Sequence, residues 1–167
     1  FVMRSFALIA EAMICAHEQG AVHAGLSSEN LFLVQKGALL FPMVFDFAQR
    51  RYPSTKEDIR ASQAAFVAPE LHWQREKSNE QSDIFSFGML MNFAILGHSP
   101  YKQVGDEKLL SHIESLGQSP SLSTLQADVN PNFIKVIDWC TAHDPAYRYR
   151  SFAEVRRDIY AVISPYL

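Results

Sequence analysis

Cysteine is scarce in this sequence: Cys15 and Cys140 are the only two, and each falls inside a helical pattern. Two are too few for a disulfide framework, so a cytoplasmic or other reducing intracellular compartment is expected. Excess charge of either sign is also lacking, with a formal net charge of −3. That leaves no basic footprint for nucleic acid or for an anionic membrane surface, and neither is expected as a partner. Long apolar runs are missing as well. The strongest, Ile84 to Leu96, is broken by Ser86 and Asn92 and falls short of the roughly 20 residues a membrane span requires. Cys15 and His17 lie two apart on a helix and point to different sides, which argues against a zinc site.

What is present is a pattern for one domain. The 167 residues are 48% apolar, enough for a sizeable core. Val2, Phe6, Ile9, Met13 and Ala16 recur at intervals of three and four and mark one helical face. Leu8, Ala12 and Cys15 widen that stripe, so burial on more than one side is expected, and Gly20 ends the helix. Two β-like runs follow, Leu31–Val34 and Leu39–Phe45, joined by the turn Gln35-Lys36-Gly37. Gln49 to Gln63 is a long polar loop of the kind that tends to carry function. Asp83 to Leu96 is apolar nearly all round and belongs at the centre of the domain. Helices are expected over Gly105–Leu116, around Phe133–Cys140, and after Ser151, an N-cap with Glu154 as its capping-box partner. The fold class is mainly α with a small β-hairpin.

Against that background one stretch stands out: His23-Ala24-Gly25-Leu26-Ser27-Ser28-Glu29-Asn30, running into the first β-like segment. It resembles the catalytic loop of protein kinases, H-R-D-L-x-x-x-N, with His23, Leu26 and Asn30 on the motif positions. Further along, Asp46-Phe47-Ala48 is similar to D-F-G, and Ala68-Pro69-Glu70 is A-P-E unaltered. Asp83 to Gly88 resembles the aspartate and glycine of the central kinase helix, and Asp144-Pro145-Ala146-Tyr147-Arg148 the D-P-x-x-R turn. Five motifs in order, across essentially the whole chain, identify a kinase-like C-lobe. Neither the glycine-rich G-x-G-x-x-G loop nor the V-A-I-K strand of the N-lobe occurs in the sequence. The expectation is a single C-lobe unit over residues 1–167, a fragment of a longer chain.

The resemblance implies roles residue by residue. Asn30 and Asp46 fall where kinases hold magnesium, but with so much of the site altered no cofactor is expected, with Mg-ATP as the alternative the resemblance implies. Gly25 occupies the catalytic aspartate position and has no side chain to orient a hydroxyl. Ala24 replaces the arginine that pairs with an activation-loop phosphate, which leaves phosphorylation of Ser54 or Thr55 without its usual ordering partner. Ser27 stands at the usual lysine, Gln63 at the threonine that ties the activation segment, and Ala48 at the D-F-G glycine. These losses lead to the expectation of a non-enzyme: an inactive scaffold or allosteric regulator that binds another protein or kinase-like domain. A degraded but weakly active kinase, or an Mg-ATP-binding switch requiring an upstream N-lobe, is the alternative. Architectural roles are implied for His23 and Phe47 as a stacked pair, for Asp83 as acceptor of backbone N–H groups from the loop, and for Glu70 and Arg148 as an ion pair.

Overall fold

The computed structural model describes residues 2–47, 61–73, 78–101, 108, 109, 112, 121, 122 and 129–166. Helix α1 (Val2–Glu18) opens the chain and buries Phe6, Ile9, Ala10 and Met13 on one face, packing on the last helix and on the hairpin. Burial extends beyond that stripe to Ser5 and Ala7, but not to the residues expected to widen it: Leu8 is 45% exposed, and Ala12 and Cys15 face outward too. The chain leaves α1 through Gly20 at φ +72°, a left-handed backbone that glycine adopts without a steric penalty.

Strands β1 (Leu31–Lys36) and β2 (Leu39–Val44) form an antiparallel hairpin in register from Leu31 with Val44 to Lys36 with Leu39. The ladder runs two residues beyond the expected end at Val34, leaving Gly37-Ala38 as the turn. Gly37, at φ +64°, supplies the left-handed residue such a tight turn needs. β2 stops one residue earlier than expected. Phe45 still donates its N–H to the Asn30 carbonyl at 3.0 Å, and Asp46 then turns at positive φ.

Short helices α2 (Ala61–Ala64) and α3 (Pro69–Trp73) lead to α4 (Glu80–Leu96). α4 begins three residues before the expected Asp83 because Asn79 and Ser82 cap it reciprocally. The Asn79 side chain accepts the Ser82 N–H and the Ser82 hydroxyl accepts the Asn79 N–H, each at 3.0 Å. Every residue from Ser82 to Asn92 is buried, which places α4 at the centre. Phe87 sits between the rings of Phe6 and Phe152, with centroids 5.4 and 5.2 Å away, so α4 joins α1 to the end of the chain. At Gly88 a Cβ would lie 2.6 Å from both Cys140 Cβ and Thr141 Cγ2, so only glycine permits this approach of α4 to helix α5 (Pro131–Cys140).

Helix α6 (Phe152–Ile163) completes the packing against α1 and α5. Its start differs from the expected capping box. The Ser151 side chain makes no cap bond, and the Glu154 carboxylate accepts from the Arg150 N–H at 2.9 Å instead. Of the helix expected over 105–116, only Lys108, Leu109 and His112 belong to the described residues, with Leu109 in the core. Residues 49–60 of the polar loop lie outside them, as does Ala48. Among the described residues, no helix is long and apolar enough to cross a membrane.

Candidate functional site

The site is built on the loop between α1 and β1. Ser27, in extended backbone, caps a single helical turn over Ser28–Asn30. Asn30 closes the loop from below: its Oδ1 accepts the Ser27 N–H at 2.8 Å and its Nδ2 donates to the Gly25 carbonyl at 2.7 Å. Both residues are buried, so the Ser27 hydroxyl, which accepts from the Glu29 N–H at 3.3 Å, serves the loop itself. Gly25 contributes only backbone. The Glu29 carboxylate accepts from the Gln63 side-chain amide at 2.5 Å, which ties the loop to α2.

From the other side the loop is held by α4. Asp83, 1% exposed, accepts the His23 N–H at 2.7 Å, the Ala24 N–H at 2.9 Å and His17 Nε2 at 3.0 Å. Three donors on one buried carboxylate offset its desolvation. They also fix Ala24 at φ +62°, an uncommon conformation for a residue with a Cβ. His23 in turn contacts the Phe45 carbonyl through Nε2 at 2.9 Å. A carbonyl only accepts, so Nε2 carries the proton, and Nδ1 is left without a partner. Burial pushes the imidazole below its ordinary pKa, against the opposing field of Asp83, and the ring is neutral. It lies 4.6 Å from the Phe47 ring at a 47° tilt.

Asp46 follows directly. Its φ is +62°, its carboxylate is exposed, and the Phe45–Asn30 backbone bond holds it at the same end of the hairpin as Asn30. Positive φ is uncommon for a residue with a Cβ, although aspartate adopts it more readily than most, and such backbone outliers cluster at functional sites. Asp46 and the second lone pair of Asn30 Oδ1 are hard oxygen donors. That set fits magnesium, which takes one or two protein oxygens and fills its shell with water and phosphate. No cluster of three or more His, Cys, Asp or Glu that could hold a metal occurs among the described residues.

Glu70 and Arg148 lie apart from this loop. The guanidinium binds the carboxylate through two bonds of 2.7 and 2.8 Å, and donates to the carbonyls of Ala142, Gln81 and His143 at 2.7, 2.9 and 3.0 Å. It also stacks on Phe85, 4.9 Å from the ring centroid. This pair joins α3, the start of α4 and the turn before α6.

The sequence singles out His17 only as a poor zinc ligand. The structure makes it the third donor to Asp83. The signal is its place in the last turn of α1, immediately before the loop that Asp83 holds.

A helical lobe with a two-stranded hairpin, a closed His–Asn loop and a clamping aspartate on its central helix has the layout of the larger lobe of a protein kinase. The chain belongs to that family: the protein kinase domain family matches residues 2–160. Among its relatives, the serine/threonine-protein kinase AfsK of Streptomyces griseus is 28% identical over 163 residues, covering 95% of this chain and 18% of AfsK. The serine/threonine-protein kinase PknL of Mycobacterium tuberculosis is 27% identical over 154 residues, 90% of this chain and 37% of that protein. Pkn1 of Myxococcus xanthus, also a serine/threonine-protein kinase, is 26% identical over 166 residues, 95% of this chain and 24% of Pkn1. The chain thus spans well under half the length of these curated relatives. The expectation of a non-enzyme, drawn from Gly25, is overturned. The family match and the relatives named as kinases point to an enzyme.

Proposed function

We propose that this chain is the C-lobe of a serine/threonine-kinase-like domain that holds Mg-ATP together with an N-lobe, transfers phosphate slowly, and acts mainly as a nucleotide-responsive switch read by a partner protein. The observation that carries the reading is the contrast between Gly25, with no side chain, and the closed loop and exposed Asp46 around it. Phosphoryl transfer passes through a loose transition state and depends chiefly on positioning and electrostatics. Losing the carboxylate at position 25 therefore slows the step rather than removing it. Asp46 and Asn30 would hold the magnesium, which neutralises charge on the phosphates. Asp83 and Asn30 keep the loop backbone in place, while the His23 ring packs on that of Phe47, the residue after Asp46.

A scaffold or allosteric-regulator role for the same lobe is favoured by the hairpin. Phe32, Leu33 and Leu39 are each more than half exposed, and such an apolar surface favours association with another protein or kinase-like domain. Val44, at the base of the same hairpin, packs against the core instead.

The test is transfer of the γ-phosphate by the protein carrying an N-lobe. General acid–base assistance contributes about 10²–10⁴-fold, so the rate should fall that far below the ~1–100 s⁻¹ of ordinary kinases. It should also vanish in Asp46→Ala. Transfer at an ordinary kinase rate, or transfer indifferent to Asp46, contradicts the reading.

A further inference from the structure

Where the last turn of α1 meets the starts of α4 and α6, a pocket of about 200 Å³ opens beside Ile14, His17, Glu18, Glu80, Ser151 and Phe152. The proposed nucleotide site does not use it. His17 is fixed there by its Nε2 bond to Asp83, and because a carboxylate only accepts, Nε2 carries the proton. Its Nδ1 has no hydrogen-bond partner although the side chain is only 6% exposed. The nearest carboxylate oxygen, Glu80 Oε2, lies 3.8 Å away, beyond hydrogen-bond reach. With that proton on Nε2, the Nδ1 lone pair faces the Glu80 carboxylate, an arrangement relieved either by a proton on Nδ1 itself or by a donor lying between the two. Ser151 makes no cap bond, so its hydroxyl is available as well.

Charge decides which donor fits. The starts of α4 and α6 bring about half an elementary positive charge each. Glu18, Glu80 and the buried Asp83 bring three carboxylates, so the pocket favours a cation. Ile14 and Phe152 offer an apolar wall to a hydrocarbon stem. We propose that the cleft between α1, α4 and α6 binds a primary alkylammonium group, its N–H donors shared among the Glu80 carboxylate, His17 Nδ1 and the Ser151 hydroxyl. Such a group reaches the cleft either as a free amine or as the lysine side chain of a partner.

Titration with n-butylammonium, followed by amide and imidazole NMR, tests this. Saturable shifts are expected at Ser151, Ala153 and the His17 ring, with affinity at least tenfold weaker in Glu80→Gln, whose fold is checked by its melting temperature. Tetramethylammonium, charged but without N–H donors, should give none. A blocked Ala-Lys-Ala peptide binding at least tenfold more tightly than butylammonium identifies a partner's lysine; equal or weaker binding identifies a free amine. An Nδ1–H on His17 in the absence of amine, equal response to the quaternary ion, the same shifts with inorganic phosphate, or no saturable shift overturns the proposal.

Discussion

Asp83 and His23 are joined by a 2.7 Å hydrogen bond across 60 residues of chain, from a carboxylate on the central helix to a backbone N–H of the loop. Ala24 donates to the other oxygen of the same carboxylate at 2.9 Å. One side chain thus fixes two consecutive peptide groups and, with them, the left-handed backbone at Ala24. The loop is held by Asp83 from outside as well as by Asn30 from within.

Asp83→Ala should therefore destabilise the lobe by on the order of 3 kcal/mol, since buried N–H groups lose a charged acceptor. For a domain of this size that lowers the melting temperature by roughly 6–12 °C. Amide exchange at His23 and Ala24 should rise more than exchange in α5 and α6. Uniform acceleration across the lobe would show that Asp83 does not act through the loop.

Arg148→Ala should cost about 3–5 kcal/mol, because it leaves the Glu70 carboxylate buried and unpaired. Arg148→Lys should recover only part of this. An ammonium cannot supply two parallel bonds to Glu70 together with bonds to three carbonyls. A melting temperature equal to wild type in either variant contradicts the structural role given to the pair.

His23 makes stability depend on pH with a definite sign. Burial holds its folded pKa below the ordinary 6.5, so the unfolded chain takes up the proton first. Its contribution is fully present above 6.5 and is lost as pH falls from 6.5 toward the folded value. The slope is at most about 1.4 kcal/mol per pH unit. Urea midpoints measured from pH 7.5 to 5.5 should fall more steeply for wild type than for His23→Phe, which keeps a ring but cannot titrate. Parallel curves would place the folded pKa at or above the unfolded one.

The framework of this fold was legible because it is encoded in short, fixed motifs and in hydrophobic periodicity. The all-round apolar run to Leu96 locates the central helix, and Gly20 marks a helix end closed by a left-handed residue. Leu8, Ala12 and Cys15 extend the apolar stripe of α1 yet are exposed, and the buried face is widened by Ser5 and Ala7 instead. The Ser151–Glu154 pattern also misled: two residue types at the right spacing do not fix which N–H a flexible carboxylate will accept from. His17 was missed as a loop support because its partner is 66 residues away, and its place in the last turn of α1 does not by itself name that partner. Gly25 could be read as a loss at the loop, but a missing carboxylate shows which group is absent and not how fast the remaining ones react.

The most direct test of the nucleotide-switch reading is a thermal-shift titration with Mg-ATP, and with ATP plus chelator, on the protein carrying an N-lobe and on its Asp46→Ala variant. At 100 times the dissociation constant a ligand stabilises by about 2.7 kcal/mol, a shift of roughly 5–10 °C for a domain of this size. The reading predicts a magnesium-dependent shift in wild type that is lost in Asp46→Ala. No shift with Mg-ATP, or the same shift with chelator present and in Asp46→Ala, would contradict it.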